Sequence, residues 1–331
     1  MEPAASKGAA ILAGDVRAAS RLMRGLEDGD PQARLTLAWL YRASRRIPRV
    51  GITGPPGAGK STLASALVGW WRAQGMRVGV LAVDPSSPFS GGALLGDRVR
   101  MMAHAEDDGV FIRSQATRGA LGGVGATTVE LIGVFDAMGF DIVLVETVGV
   151  GQDEVDVIQL VDTTVVVAVP GMGDEVQALK AGLLEVADIL VVNKADRDGA
   201  ERTTADLQAM VDIGPTQSWR RPIIATVAHL GAGVADLGEA IRSHGAWLDD
   251  QPGDRGRRQT TAAHIERISR EDMGLRVRRW LENDPGGRAL VDDVHARRQD
   301  PYAGARQALE AVVQGQSGDR PPNEGGDSAS E

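Results

Sequence analysis

Seven short apolar runs rich in β-branched residues alternate with helical segments between residues 49 and 248, and few architectures accommodate such a pattern. The runs are residues 50–53, 78–83, 110–112, 142–145, 165–169, 189–192 and 223–227. Helical spacing is found between them, in residues 61–71, 127–138, 175–186 and 234–248. Strands that alternate with helices predict an α/β fold with a doubly wound, mostly parallel sheet. Because each run is almost continuously apolar, we expect helices to cover both faces of the sheet.

Segments with helical spacing and no strand signal flank this region on both sides. The first, residues 1–47, has a predicted break at Gly29, Asp30 and Pro31. The second follows a breaker at residues 251–254 and is helical from 258 to 313. We therefore predict an N-terminal helical extension (1–47), a central α/β domain (48–250), a C-terminal helical arm (251–313) and a disordered polar tail (314–331).

The predicted arm combines an apolar stripe with many positive charges. Eleven arginines lie between residues 255 and 298, and they form either a solvated helix face or a phosphate-binding patch. Such a stripe on a charged helix predicts a surface that a second copy of the chain or a neighbouring domain covers. Its predicted members are Ile265, Ile268, Leu275, Trp280 and Leu281.

Composition excludes several classes of protein. The chain has no cysteine, so it can form neither disulfides nor thiolate metal sites. This composition is compatible with a reducing cytosol. A formal net charge of -9 argues against nucleic acid as the main partner. No apolar run approaches membrane-spanning length, and the N-terminus lacks a signal-peptide layout. We expect a soluble cytoplasmic protein without a membrane partner.

Lysine is rare in this chain and arginine is not. Of 36 basic residues only four are lysines, and three of these lie in segments with a nucleotide-binding pattern: Lys60, Lys180 and Lys194. The fourth, Lys7, lies in the N-terminal extension. A compact ammonium on a flexible stem differs from the planar guanidinium fork, so retained lysines indicate sites that need the former.

Residues 54–61, GPPGAGKS, match the phosphate-binding pattern G-x-x-x-x-G-K-[ST] between a strand and a helix. Glycines let backbone N–H groups surround the phosphates, and the helix N-terminus adds its positive dipole end. In this arrangement Lys60 bridges the β- and γ-phosphates and the Ser61 hydroxyl binds Mg²⁺. The predicted contacts are Gly54, Pro55, Pro56, Gly57, Ala58, Gly59, Lys60, Ser61 and Thr62.

Asn193, Lys194, Ala195 and Asp196 follow the buried run at 189–192. At the carboxyl end of a strand, Asp196 can accept hydrogen bonds from the N1–H and the exocyclic amine of guanine. Adenine has no such pair of donors, so ATP would leave a carboxylate unpaired. The side chain of Lys194 can lie along the base plane. The sequence therefore predicts GTP and GDP as ligands in preference to ATP.

Three carboxylates are candidates for Mg²⁺ or for the attacking water. Glu146 ends a strand and is followed three residues later by Gly149, whose N–H would meet the γ-phosphate. Asp84 ends the strand at 78–83 and points into the ligand crevice, and Asp97 would approach the metal when its loop closes. The alternatives are a helix cap for Glu146 and ordinary turn formation for Asp84 and Asp97.

At this point several segments together resemble the MeaB/ArgK family of P-loop GTPases, the chaperones associated with methylmalonyl-CoA mutase. The resemblance is continuous from about residue 49 to 234. It is specific, because the DPSS and ETVGVGQ segments in this order are not generic to P-loop proteins. The segments are LAVDPSSPFSGGALLGDRVRM, RGALGGV, ETVGVGQDE, PGMGDEVQALKAG and VNKAD.

This resemblance implies slow GTP hydrolysis accelerated by a partner mutase, and a homodimer held by the C-terminal arm. Hydrolysis would gate adenosylcobalamin loading and protect the mutase, with a cobalamin adenosyltransferase as a further partner. The extra switch loop of the family matches residues 173–180, with Asp174, Gln177 and Lys180 as its polar members. A solvated lysine on a helix is the alternative for Lys180.

One departure from the family lies in the predicted base-contacting loop, Val227, Ala228 and His229. The family usually has T-S-A where this chain has Thr226, Val227 and Ala228, so a hydroxyl is lost while the backbone N–H groups remain.

Two other functions stay open, a nickel-type metal-delivery GTPase and a kinase linked to basic amino-acid transport. The first needs a Cys/His cluster, which five scattered histidines do not offer, and no transporter motif supports the second. No D-x-H-x-x-G motif is present, so we expect the chain not to hold cobalamin alone.

Overall fold

The computed structural model describes residues 2–84, 102–104, 106–116, 126–147, 160–171, 186–213, 218–251 and 255–315. The strands are β1 Arg49–Thr53, β2 Val78–Asp84, β3 Val110–Ala116, β4 Ile142–Thr147, β5 Thr163–Ala168, β6 Ile189–Asn193 and β7 Ile223–Thr226. They form one sheet in the order β3-β2-β4-β1-β5-β6-β7, and every neighbouring pair is parallel. The predicted fold class and all seven predicted strands are confirmed.

Helices precede, separate and follow the strands along the chain. Before it come α1 Glu2–Leu12, α2 Val16–Glu27 and α3 Pro31–Ala43. Between and after the strands are α4 Lys60–Ala73, α5 Ala126–Ala137, α6 Ala200–Ile213 and α7 Val234–Asp249. The C-terminal helices are α8 Arg255–Asn283, α9 Pro285–His295 and α10 Pro301–Gly315. In the described ranges, no helix is both long and apolar enough to cross a membrane.

Alternate residues of the central strands enter opposite cores. Val165 and Val167 pack with α4 and α7 on one face, whereas Val166 and Ala168 pack with α6 on the other. The strands at the centre are buried along their full length, as expected for a parallel sheet covered on both faces. This burial holds the carboxyl ends of the strands in fixed positions.

The N-terminal helices share a core with the sheet. Asp15 caps α2 and Asp30 caps α3, each accepting a backbone N–H at 2.9 Å, and Pro31 occupies the first turn of α3. Buried apolar residues of all three helices pack against α5 and strands β2 and β4. Ion pairs from Arg34 to Glu130 on α5 and from Arg113 on β3 to Glu27 on α2 add polar links.

Beyond α7 the chain forms a second compact unit. The division lies at Ile265 and Glu266, within α8. The apolar stripe predicted on this helix is partly wrong. Ile265, Ile268 and Leu275 share one exposed face, but Trp280 and Leu281 do not continue it, because a helix turns about 100° per residue.

Trp280 and Leu281 lie instead where α9 begins. A Cβ atom on Gly287 would come within 2.2 Å of the Trp280 carbonyl oxygen, so only glycine permits this approach. Residues 314 and 315, predicted as the start of the tail, belong to α10, and the rest of the predicted tail lies outside the described residues.

A buried histidine lies at the amino-terminal edge of the sheet. His244 of α7 packs between Trp219 and Trp247, with ring centroids 4.8 and 5.5 Å away. Its Nδ1 atom is 2.9 Å from the Thr163 hydroxyl, and Nε2 is 3.4 Å from Oδ1 of Asp188. Burial lowers the pKa of His244 to about 4 and raises the pKa of Asp188 to about 6.

These two shifts have opposite effects on the free energy of unfolding. As pH falls below about 6.5, His244 binds a proton in the unfolded state before it does so in the folded state. The stability that neutral His244 contributes to the folded protein is therefore lost on acidification towards pH 4. The Asp188 contribution is fully present below its unfolded pKa of 3.8 and is lost as pH rises through about 6. Between about pH 4 and 6, the two groups therefore change the free energy of unfolding in opposite directions as the pH changes.

We expect Asp188→Asn to lose stability on acidification from pH 7 to 4 more steeply than the unmodified protein, by on the order of 2 kcal/mol. Denaturant unfolding at several pH values measures the difference. Asp206→Asn, an exposed carboxylate on α6, is the matched control and should follow the unmodified protein. Parallel pH curves for Asp188→Asn and the unmodified protein would contradict the assignment.

Candidate nucleotide-binding site

The phosphate loop, residues 54–60, connects β1 to α4 at the carboxyl edge of the sheet. Gly54 has φ 140°, and a Cβ there would lie 2.3 Å from the Val167 carbonyl oxygen of β5. Gly59 has φ 86°, and a Cβ there would lie 2.5 Å from the Asn193 side-chain nitrogen. Both positions therefore require glycine, and the loop is packed tightly against its neighbours.

Lys60 opens α4 directly behind this loop. Its ammonium donates to the carbonyl oxygens of Gly54 at 2.5 Å and Pro55 at 3.1 Å. The side chain is buried, whereas Pro56, Gly57 and Thr62 on the rim are exposed. The ammonium is thus held inside the loop, at the positive end of the α4 dipole, where a phosphate would lie.

Ser61 and Glu146 meet beside Lys60. The Ser61 hydroxyl donates to Oε1 of Glu146 at 2.5 Å, and both side chains are buried. Glu146 is the penultimate residue of β4, and the register of that strand places it opposite Ile52 of β1 and Ala82 of β2. The sequence predicted these two residues as metal ligands, and the fold brings their oxygen atoms together.

Asn193 links three loops through one buried side chain. Its Nδ2 atom donates to the Ala58 carbonyl in the phosphate loop at 2.9 Å. Its Oδ1 atom accepts from the Thr226 hydroxyl at 3.1 Å and from the Ala228 N–H at 3.2 Å. The loops after β1, β6 and β7 are therefore cross-linked by a single residue that is 2% exposed.

Lys194 and Asp196 lie on the outer side of Asn193. Lys194 has φ 56°, a left-handed conformation that is uncommon for a residue with a Cβ atom, and its ammonium donates to the Gly57 carbonyl at 2.6 Å. Asp196 is exposed. This turn connects the NKAD segment to the phosphate loop a second time and leaves the Asp196 carboxylate accessible to a base.

The predicted base-contacting loop forms a single 3₁₀ turn, Ala228–Leu230, after β7. The N–H groups of Val227 and Ala228 donate to the Ala232 carbonyl and to Asn193, respectively. Within the described residues, the His229 N–H has no such partner, and its side chain is exposed. Sequence reasoning did not single out Thr226, whose hydroxyl holds Asn193; its place at the end of β7 was the available signal.

The other predicted site residues lie wholly or partly outside the described residues. The backbone of Asp84 ends β2, but its side chain lies outside the described residues. Asp97, Gly149, Asp174, Gln177 and Lys180 also lie outside them. Their predicted roles at the γ-phosphate and metal stay predictions.

Residues 20–280 match the family model described as methylmalonyl-CoA mutase-associated GTPase MeaB. The chain belongs to the MeaB family. This confirms the resemblance proposed from the sequence, and the matched range includes every nucleotide motif and the first part of the C-terminal helices. Membership of the MeaB family thus covers most of the chain rather than the phosphate loop alone.

Individual relatives agree with membership of the MeaB family. A protein of Pyrococcus horikoshii, provisionally named a GTPase, is 44% identical over 91% of this chain and 95% of its own length. The mouse methylmalonic aciduria type A homolog, a mitochondrial protein, is 43% identical over 59% of this chain and 48% of its own length. A crystal structure of an LAO/AO transport system kinase is 25% identical, with a TM-score of 0.69, and covers 95% of this chain and 98% of that one.

We expect Asn193→Ala to weaken both the fold and nucleotide binding. The change removes three hydrogen bonds and leaves the buried Ala58 carbonyl and Thr226 hydroxyl with fewer partners, which should cost about 2–4 kcal/mol. Denaturant unfolding without nucleotide and GDP calorimetry measure the two effects. Thr226→Val removes one bond and is the graded control; if both variants bound GDP like the unmodified protein, the cross-link would have no role in binding.

Proposed function

We propose that this chain hydrolyses GTP to GDP and phosphate. The observation that carries the proposal is the Asn193 cross-link, because it fixes the phosphate loop at a set distance from the accessible carboxylate of Asp196. One guanine nucleotide could then bind the Asp196 carboxylate with its base and the phosphate loop with its phosphates. Membership of a family described as GTPases supports the same activity.

The residues of this chain would act mainly by position and charge. Backbone N–H groups of the phosphate loop and the N-terminus of α4 would surround the phosphates, and Lys60 would stabilise the charge that develops on them. Asp196 would select guanine, with the His229 N–H as a further donor to the base. Asp84 is proposed to position the attacking water, and the Gly149 N–H to contact the γ-phosphate.

Ser61 and Glu146 fit a magnesium ion. Mg²⁺ prefers oxygen ligands and is commonly held by one or two carboxylates together with substrate phosphates. The two side-chain oxygens lie 2.5 Å apart beside the phosphate loop, and the described residues contain no cluster of three or more His, Asp or Glu that could hold a metal by itself. Asp84 and Asp97 would complete the set. When bound, the ion would neutralise charge on the β- and γ-phosphates.

We further propose that the partner is an adenosylcobalamin-dependent acyl-CoA mutase, whose cofactor loading GTP hydrolysis gates. The support is the description of the family as associated with methylmalonyl-CoA mutase and the name of the mouse relative. Residues 173–180 are proposed as the switch loop through which the mutase acts, and we assign this role to the charged side chains of Asp174 and Lys180 in particular. A partner that orders such a loop could complete the site for catalysis.

Turnover assays with purified protein test this function. GTP should be hydrolysed slowly and ATP should not, and the mutase from the same source should raise the GTP rate. Lys180→Ala should leave the basal rate within a few-fold and reduce the stimulation. Hydrolysis of ATP at a similar rate would contradict the guanine assignment, whereas GTP hydrolysis without any response to the mutase would contradict only the partner.

The exposed face of α8 supports a homodimer. Ile265, Ile268 and Leu275 are 62%, 41% and 47% exposed, which is a large apolar surface for one face of a charged helix. We expect Ile265→Glu/Ile268→Glu to convert a dimer into a monomer, measured by light scattering. Leu309→Glu, an exposed apolar residue on α10, is the control and should not change the mass. A full-length protein that is monomeric at tens of micromolar would contradict the proposal.

A further inference from the structure

A cavity of about 380 Å³ lies among the three N-terminal helices. None of the residues that line it belongs to a nucleotide motif. Those that determine its chemistry are Lys7 and Ile11 of α1, Arg21 and Leu22 of α2, and Gln32 of α3 with its capping residue Asp30. A cavity of this volume is within the range of small-molecule sites.

The cavity has two positive charges on its wall. The side chains of Lys7 and Arg21 are exposed, and neither makes an ion pair or hydrogen bond with any residue in the described part of the chain. Asp30, the acidic residue of the wall, is engaged at 2.9 Å in capping α3 through Gln32. Two cations without intramolecular partners, one on each of two facing helices, favour an anionic ligand.

The floor of the cavity is apolar and fixed. Ile11 is 1% exposed, Leu22 is 8% exposed and Ala33 is 6% exposed, and all three belong to the core shared with α5. The floor therefore offers contact to a hydrocarbon, and the buried Thr36 hydroxyl beside it already donates to the Gln32 carbonyl at 3.0 Å. An apolar surface below two cations has the chemistry to hold a molecule with a charged head and a hydrocarbon body.

Lysine usage points to the same place. The other three lysines of the chain lie in segments that the sequence associates with phosphates or a nucleotide, and Lys7 is the one that this function does not explain. Its position on the cavity wall suits it to bind an anion, as Lys60 is predicted to do. A flexible ammonium can follow the charged head of ligands whose hydrocarbon parts differ in length.

We propose that this cavity binds a small amphipathic anion, with a carboxylate or phosphate head at Lys7 and Arg21 and an alkyl chain against Ile11 and Leu22. The affinity should rise by about fourfold for each methylene added, until the chain fills the cavity. Free carboxylates and alkyl phosphates share this chemistry, and comparison of the two heads identifies the preferred one.

Calorimetry on the full-length protein saturated with GDP tests the proposal, using butanoate, hexanoate, octanoate and octyl phosphate as probes. Octylamine and octanol are the controls for charge. Binding should saturate at one site per chain and weaken at least tenfold in Lys7→Ala and Arg21→Ala, whereas Arg17→Ala on α2, which does not line the cavity, should bind normally. Equal binding of octylamine, or no effect of either wall variant, would overturn it.

A second measurement avoids the need for variants. Because the chain has only four lysines, selective labelling of lysine gives a spectrum with four side-chain signals. Octanoate should shift the Lys7 signal and leave those of Lys60, Lys180 and Lys194 in place. An unchanged Lys7 signal at saturating octanoate would exclude the cavity as the site.

Discussion

Replacing Lys60 with alanine is expected to lower the rate of GTP hydrolysis at least about a hundredfold, the usual effect of removing one preorganised donor from a catalytic site. The ammonium lies within the phosphate loop, bound to Gly54 and Pro55, so nothing else in the loop can replace its charge. Turnover measured with purified protein and saturating GTP gives the ratio. The melting temperature should remain that of a folded protein, because the contacts of Lys60 with Gly54 and Pro55 lie in the loop and not in the apolar core.

Two further variants test whether the loss of GTP hydrolysis in Lys60→Ala comes from the position of the ammonium or from its charge alone. Lys60→Arg keeps the charge, but a planar guanidinium cannot occupy a position 2.5 and 3.1 Å from two carbonyl oxygens in the same way, so the rate should still fall. Arg202→Ala removes a positive charge from the exposed surface of α6 and should be neutral. If Lys60→Ala turned over GTP at the unmodified rate, the activity would come from another site or from a contaminant.

Asp196→Asn is expected to reduce GTP affinity on the order of 10²–10⁴-fold and to raise affinity for xanthosine triphosphate. The carboxylate can accept two hydrogen bonds from guanine, each worth about 1.5–3 kcal/mol to a charged group. Asparagine offers one acceptor and one donor, which match the N1–H and O2 of xanthine. Competition calorimetry with both nucleotides measures the exchange of preference.

Asp198→Asn is the matched control, because Asp198 is also exposed and lies two residues further along the same turn. It should leave the nucleotide preference unchanged. ATP binding within tenfold of GTP in the unmodified protein would contradict a guanine site. A loss of GTP affinity with no gain for xanthosine triphosphate would indicate that Asp196 supports the loop rather than contacts the base.

Strand positions and the nucleotide motifs could be predicted because their signals are local. Each strand is a continuous apolar run, and the phosphate loop contains its glycines, lysine and serine within a few residues. Helix α6 was not among the predicted segments, since only Thr203 and Leu207 of its residues are buried and its apolar periodicity is weak. The turn at Gly14 and Asp15 that divides α1 from α2 was also not predicted.

Contacts between distant residues could not be predicted in this way. Asn193 and Ala58 are 135 positions apart, and the motif that contains Asn193 does not reveal which carbonyl it holds. His244 and Thr163 are 81 positions apart, and neither stands out in the sequence. The cavity at Lys7 depends on how three helices pack, whereas the sequence showed only that this lysine was unusual.

The Asn193 and Lys194 contacts have a consequence for how the chain would distinguish its two nucleotide states. Both join the NKAD turn to the phosphate loop through contacts within the chain itself. Parts that are held together in this way lose little conformational entropy when a nucleotide binds, and they would contact only the parts that GDP and GTP have in common. Most of the binding energy would then be the same for substrate and product. The difference between the GTP-bound and GDP-bound states would rest on the γ-phosphate and on chain segments outside the three joined loops. The residues that set the affinity for guanine nucleotides would then be different from those that report which nucleotide is bound.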